Sequence, residues 1–161
     1  MKKLFSILVV LITTTCLWAA NFTLDNIIYR TGSDSTVQIY DVSNTSISGE
    51  LIIPSQVVYN GTTYQVVGIL VEAFSYCSYT SIELPNSITS VAGGVFYGCD
   101  NLKKVEYYNA NNNTRVIENN SSMETIGDYA FYDCISLENI QLSGCLSYLG
   151  KYAFANCSSL N

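Results

Sequence analysis

The sequence predicts a β-rich solenoid of about four stacked coils, each 22–23 residues long, with a parallel sheet and a β-hairpin cap before it. Three observations lead there. The phrase Ala-Phe-x-x-Cys returns at Phe74 and Cys77, Phe96 and Cys99, Phe131 and Cys134, and Phe154 and Cys157, with Val95 replacing Ala in the second copy. Its Phe positions lie 22, 35 and 23 residues apart, and a period in the twenties marks stacked units too small to bury an apolar face alone. A short period-2 apolar segment precedes each phrase at a similar offset, as a brief strand requires. Ahead of the coils, two further strand-like runs are joined through Gly32-Ser33-Asp34.

Residues 1–19 read as a secretory signal. Lys2-Lys3 is the basic start, Leu4 to Ile12 is apolar except for Ser6, and Thr13 to Ala20 then ends in small residues. The apolar run is too short for a membrane span, so the mature chain is not expected to insert. A rival lipoprotein reading would acylate Cys16, but Thr13 and Thr15 stand where such boxes want Leu and Gly or Ala.

Residues 20–50 are expected to form the β cap, with strands over Asn26 to Arg30 and Thr36 to Val42. They would cover an edge that otherwise invites pairing. Residues 51–161 are expected to hold the repeats. Coil one starts at Leu51 and Ile53, and its insertion around Val57 to Gln65 centres on Asn60-Gly61, the strongest short hairpin signal. Coil two places Ile82 and Leu84 before Pro85, then Ile88, Val91, Phe96, Cys99 and Leu102. Coil three runs through Val105, Tyr107, Met123, Ile126, Phe131, Cys134 and Leu137. Its twelve extra residues, roughly Tyr108 to Asn120 and rich in Asn, are expected to leave the stack as an exposed loop. Coil four offers Ile140, Leu142, Leu146, Leu149, Phe154, Cys157 and Leu160. The pattern then calls for another strand beyond Asn161, which favours a piece of a longer repeat protein.

Composition excludes several functions. A net charge of −6 with no Lys/Arg cluster larger than the pairs Lys2-Lys3 and Lys103-Lys104 argues against nucleic acid or anionic lipid as partner. The chain has no histidine, so the commonest general base and most zinc chemistry are missing. The column Cys77, Cys99, Cys134 and Cys157 reads as buried free thiols acting as small hydrophobes, because in-register stacking holds their Cβ atoms too far apart for disulfides. Cys145, off the column, is expected nearer solvent. No metal or cofactor is called for, and no catalytic residue stands out.

Outward strand positions give two rows: Ser81, Lys104 and Asn139, and Glu83, Glu106 and Gln141. The Glu83 and Glu106 carboxylates would be neighbours. An open solvated face gives them none of the asymmetry that acid–base glycoside chemistry needs, so solvation is the default. Tyr129 and Tyr152 precede the Ala of their phrases, on a chain of 13 Tyr. Half-exposed Tyr columns serve packing first and recognition second. Glu83, Lys104, Glu106, Tyr129, Gln141 and Tyr152 are thus the candidate ligand contacts.

The unit carried by Ser81-Ile82-Glu83-Leu84-Pro85-Asn86-Ser87-Ile88, by Glu124-Thr125-Ile126-Gly127-Asp128-Tyr129-Ala130-Phe131 and by Cys134-Ile135-Ser136-Leu137 resembles the BspA-like leucine-rich repeat. The front end, with its Lys-Lys start and the stretch from Ile53-Pro54-Ser55 to Tyr59-Asn60-Gly61-Thr62-Thr63-Tyr64, is similar to members from host-associated anaerobic bacteria. Ser143 in place of Pro, Val95 in place of Ala and the Asn-rich insertion depart from the pattern locally. The resemblance implies a leucine-rich-repeat solenoid, secreted or on the cell surface, with no chemistry of its own. It implies attachment to a host or bacterial surface protein or glycan, with no nucleic acid and no defined contact residues. A passive spacer, whose activity lies downstream in a larger surface protein, is the alternative.

Overall fold

The computed structural model describes residues 20–109, 116–117 and 122–161. The secretory signal and most of the Asn-rich insertion fall outside these residues. The chain opens with β1 (Asn21–Leu24), β2 (Ile27–Thr31) and β3 (Thr36–Val42), an antiparallel set. Asp25 and Asn26, both at positive φ, form the two-residue turn between β1 and β2. Such turns match the right-handed twist of the strands they join. The hairpin expected between Ile27 and Val42 is present, and β1 is an addition to it.

Then come β4 (Ser48–Ile52), β5 (Gln56–Tyr59) and β6 (Thr62–Ile69). Asn60 at φ 48° and Gly61 at φ 78° close the β5–β6 hairpin that the Asn-Gly pair announces. The repeats follow as β7 (Ser78–Pro85), β8 (Ser90–Val91), β9 (Lys104–Asn109), β10 (Val116–Ile117), β11 (Thr125–Ile126), β12 (Asn139–Ile140) and β13 (Tyr148–Leu149).

There are two sheets where the sequence suggested one. The first runs β1-β2-β3-β6-β8-β11-β13, with β5 also on β6. The second runs β4-β7-β9, with β12 and β10 both on β9. Each turn of the solenoid contributes one strand to each sheet, and pairing between successive turns is parallel. The strands β8, β11, β12 and β13 are two residues long, too short to show a period in the sequence. A second correction concerns the insertion in coil three. Val116 and Ile117 return as β10, antiparallel to Asn109 and Tyr108, so this part of it widens the second sheet.

The core is one file of apolar side chains between the sheets. Phe74, Phe96, Phe131 and Phe154 stack at ring-centroid distances of 5.6, 5.1 and 5.2 Å. Ile82, Leu84, Val105 and Tyr107 face them from β7 and β9, fully buried. At the front, the Phe22 ring lies 4.1 Å from that of Tyr59. Leu142 and Leu149, placed by the sequence in the apolar columns, are half-exposed because coil four has a neighbouring coil on one side only.

Around Phe74, Phe96 and Phe131 the backbone turns sharply and binds the next coil through three N–H donors each. Glu72, Phe74 and Tyr76 donate to Gly93, Val95 and Tyr97; Gly94, Phe96 and Gly98 donate to Asp128, Ala130 and Tyr132; Tyr129, Phe131 and Asp133 donate to Lys151, Ala153 and Ala155. Two positions of this arc, two residues before and two after Phe, are left-handed in every coil. They hold Glu72, Gly94, Tyr129 and Tyr152, then Tyr76, Gly98, Asp133 and Asn156, with φ between 55° and 64°.

Candidate functional site

The candidate contacts fall in two places. Glu83, Lys104, Glu106 and Gln141 belong to the second sheet. Register sets Ser81 beside Lys104 and Lys104 beside Asn139, and it sets Glu83 beside Glu106. Gln141 follows one residue after β12. A hollow of about 520 Å³ opens on this face, lined among others by Glu50, Ser81, Lys104, Glu106, Asn139 and Gln141. Lys104 Nζ donates to Glu106 Oε2 at 3.1 Å, and that bond holds the ammonium above its ordinary pKa.

One expectation fails here. Glu83 and Ser81 were read as part of an open solvated face, yet Glu83 is 6% exposed and Ser81 is equally buried. The cause is position: β7 is the inner strand of the sheet, flanked by β4 and β9. In register, Glu50 and Lys104 flank Ser81, and Ile52 and Glu106 flank Glu83. Glu106 and Lys104 remain accessible and bonded to one another. The arrangement can hydrogen-bond a polar ligand with donors and acceptors side by side.

Tyr129 and Tyr152 lie elsewhere, on the arc around Phe. They form one end of a tyrosine ridge. Tyr76 meets Tyr97 at 5.5 Å, Tyr97 stacks on Tyr132 at 5.0 Å, Tyr132 meets Tyr129 at 5.6 Å, and Tyr129 stacks on Tyr152 at 5.4 Å. Tyr76 and Tyr152 are 65% and 62% exposed. Asn156 Nδ2 donates to Tyr132 Oη and to Asp133 Oδ1, fixing polar groups along the same ridge.

The backbone under this ridge is strained. Tyr76, Tyr129 and Tyr152 have φ of 56°, 57° and 55°, in slots that coil two fills with Gly98 and Gly94. A residue with a Cβ loses about 1–2 kcal/mol there relative to the right-handed region, and Asn or Asp tolerates it better than Tyr. Tyr76 was not among the candidates. Its signal was present in the sequence, a bulky aromatic in a slot where the next coil has glycine.

The buried cysteines are free thiols, and Cys145 is exposed. Among the described residues no cluster of Cys, Asp and Glu could hold a metal ion, and no helix is long and apolar enough to cross a membrane.

A model of the BspA type leucine-rich repeat region matches residues 67–161 in six copies. The fold is similar to that of a leucine-rich cell surface protein from Faecalibacterium prausnitzii, at 24% identity and a TM-score of 0.72, covering 88% of this chain and 35% of that one. It is similar to a leucine-rich repeat protein from Bacteroides ovatus, at 25% identity and a TM-score of 0.64, over 84% of this chain and 33% of that one. It is also similar to the Leucine Rich Repeat protein of T. pallidum, at 21% identity and a TM-score of 0.63, over 88% and 69%. The chain spans about a third of the length of the first two. No curated protein matches it. With the family model covering more than half of the sequence, and the stacked Phe and Cys columns in place, the chain belongs to the BspA type leucine-rich repeat family.

Proposed function

We propose that this chain is a non-enzymatic, secreted or cell-surface module that adheres to a protein or glycan on host or other cells. The observation that carries the reading is the tyrosine ridge. Tyr76, Tyr129 and Tyr152 keep left-handed backbone where glycine would be relaxed, and they present rings to solvent. Strain retained at an exposed aromatic is a mark of function more than of packing. Tyrosine is also a rigid contact residue with one polar tip, suited to protein and sugar surfaces. The hollow around Lys104, Glu106 and Gln141 offers a second, polar contact area.

The test is adhesion. Beads coated with the full chain are applied to surfaces coated with mucin or with extracellular-matrix protein, beside beads coated with the double variant Tyr129→Ser, Tyr152→Ser. Retention above albumin-coated beads, lost in the double variant at unchanged melting temperature, is expected. Wild-type retention no better than albumin sinks the reading.

A spacer within a longer surface protein is the second reading. Leu142 and Leu149 favour it, as half-exposed apolar residues on coil four that a further coil would cover.

A further inference from the structure

The two sheets do not end together at the front of the molecule. The first continues past β3 into β2 and β1, whereas the second stops at β4. Among the described strands, β4 pairs with β7 alone. The Ile53 N–H donates to the Glu83 carbonyl, so the alternation of a strand turns the N–H and C=O of Ile52 the other way, onto the free edge. A register shift between Gly49 and Glu50 and the proline at position 54 confine regular pairing to a short stretch, Glu50 to Ile53.

A groove of about 350 Å³ lies beside this edge, lined by Leu24, Ile27, Leu51, Ile52, Pro54 and Val58, with Asp25 at its border. Ile52 is 44% exposed and Val58 62%. An unpaired strand edge next to an apolar groove offers backbone hydrogen bonds and a side-chain pocket together, the two components of strand addition.

We propose that the β4 edge takes up an extended segment of a partner protein as an added strand, with an apolar side chain in the groove and a Lys or Arg beside it facing Glu50 and Asp25. Charge selects this occupant. A second copy of the chain, itself at −6, would bring Glu50 and Asp25 against their own kind. Like charges across a strand pair are destabilising. A basic segment meets the opposite sign. This edge is a different surface from the tyrosine ridge, and either can fail without the other.

The probe is a fluorescein-labelled peptide, Lys-Val-Lys-Val-Lys-Val-Lys, titrated with the full chain at near-physiological salt and read by anisotropy. The same peptide with Pro for Val keeps the charge and cannot form a strand. Ile52→Asp and Val58→Asp alter exposed side chains and add negative charge. Strand addition predicts saturable binding, a loss of about tenfold or more for the Pro peptide and for either variant (about 1.4 kcal/mol or more), and slowed hydrogen exchange at the Ile52 amide. Equal binding of the Pro peptide, or tighter binding by the Asp variants, overturns the proposal in favour of plain electrostatic attraction. No binding of the Val peptide overturns it too. So does a dimer of the full chain in sedimentation that Ile52→Asp dissociates, since the edge is then occupied by a second copy.

Discussion

The thiol of Cys99 donates a hydrogen bond to the Phe74 carbonyl oxygen of the preceding coil, at 3.0 Å. Cys134 does the same to Phe96 and Cys157 to Phe131, each at 3.0 Å. The cysteine of every later coil is therefore both a small apolar filler and a donor that links its coil to the one before.

The pH dependence of the fold comes from its buried phenols, not from these thiols. Within each thiol pair the shifts oppose each other: hydrogen bonding raises Cys99 and Cys134 and lowers their partners Cys77 and Cys157. Burial raises the phenols of Tyr29 and Tyr107. Above about pH 10 the unfolded chain sheds phenol protons that the folded chain keeps. The stability these phenols contribute is fully present below that value and is lost as the pH rises further. The melting temperature should hold near neutrality and fall above about pH 10; a level profile there would refute the assignment. At neutral pH a maleimide should label Cys145 well before the column thiols.

Phe96 has a ring on each side, at 5.6 and 5.1 Å, while Phe154 has one and is only partly buried. Phe96→Ala is expected to cost about 3–5 kcal/mol, and Phe154→Ala no more than about half as much. Urea midpoints measure both. Equal losses would mean that position in the file does not govern the cost.

Gly98 has φ +64°, and a Cβ placed there would stand 2.7 Å from Cδ1 and Cε1 of Tyr76. The Tyr76 ring rests on the space that Gly98 leaves. Gly98→Ala should cost about 1–2 kcal/mol from backbone strain, plus the displacement of the ring. In a Tyr76→Ala background only the strain should remain, so a double-mutant cycle should show coupling. Identical costs in both backgrounds would remove Tyr76 from contact with Gly98.

The coils were legible because each places a Phe at the same point in the seam, so the period survives a twelve-residue insertion. The hairpin at Asn60-Gly61 was legible because two consecutive left-handed residues restrict what can stand there. The run of the first sheet through the coils was not, since Ser90–Val91 and Thr125–Ile126 are too brief to alternate. The burial of Glu83 was hidden for another reason: it lies on a strand flanked on both sides, between Ile52 and Glu106, and strand order is not written in a single strand's pattern. Of the candidate site, the sequence indicated Lys104, Glu106 and Gln141 on the strand face, and Tyr129 and Tyr152 on the arc. It missed Tyr76, whose left-handed φ is signalled only by comparison with Gly98 in the same slot of the next coil.

The three N–H donors around each of Phe74, Phe96 and Phe131 all point toward the following coil, and their carbonyl acceptors point back. Peptide dipoles on that side of the molecule therefore add head to tail, as they do in a helix, with the positive pole at coil four. The amides of Tyr152, Phe154 and Asn156 occupy the donor positions of that pole. Whatever peptide meets that end must offer carbonyls, and a mirror-fashion meeting of two such ends would set donor against donor. The stack is thus a rod with a direction, and it can be lengthened only front to back.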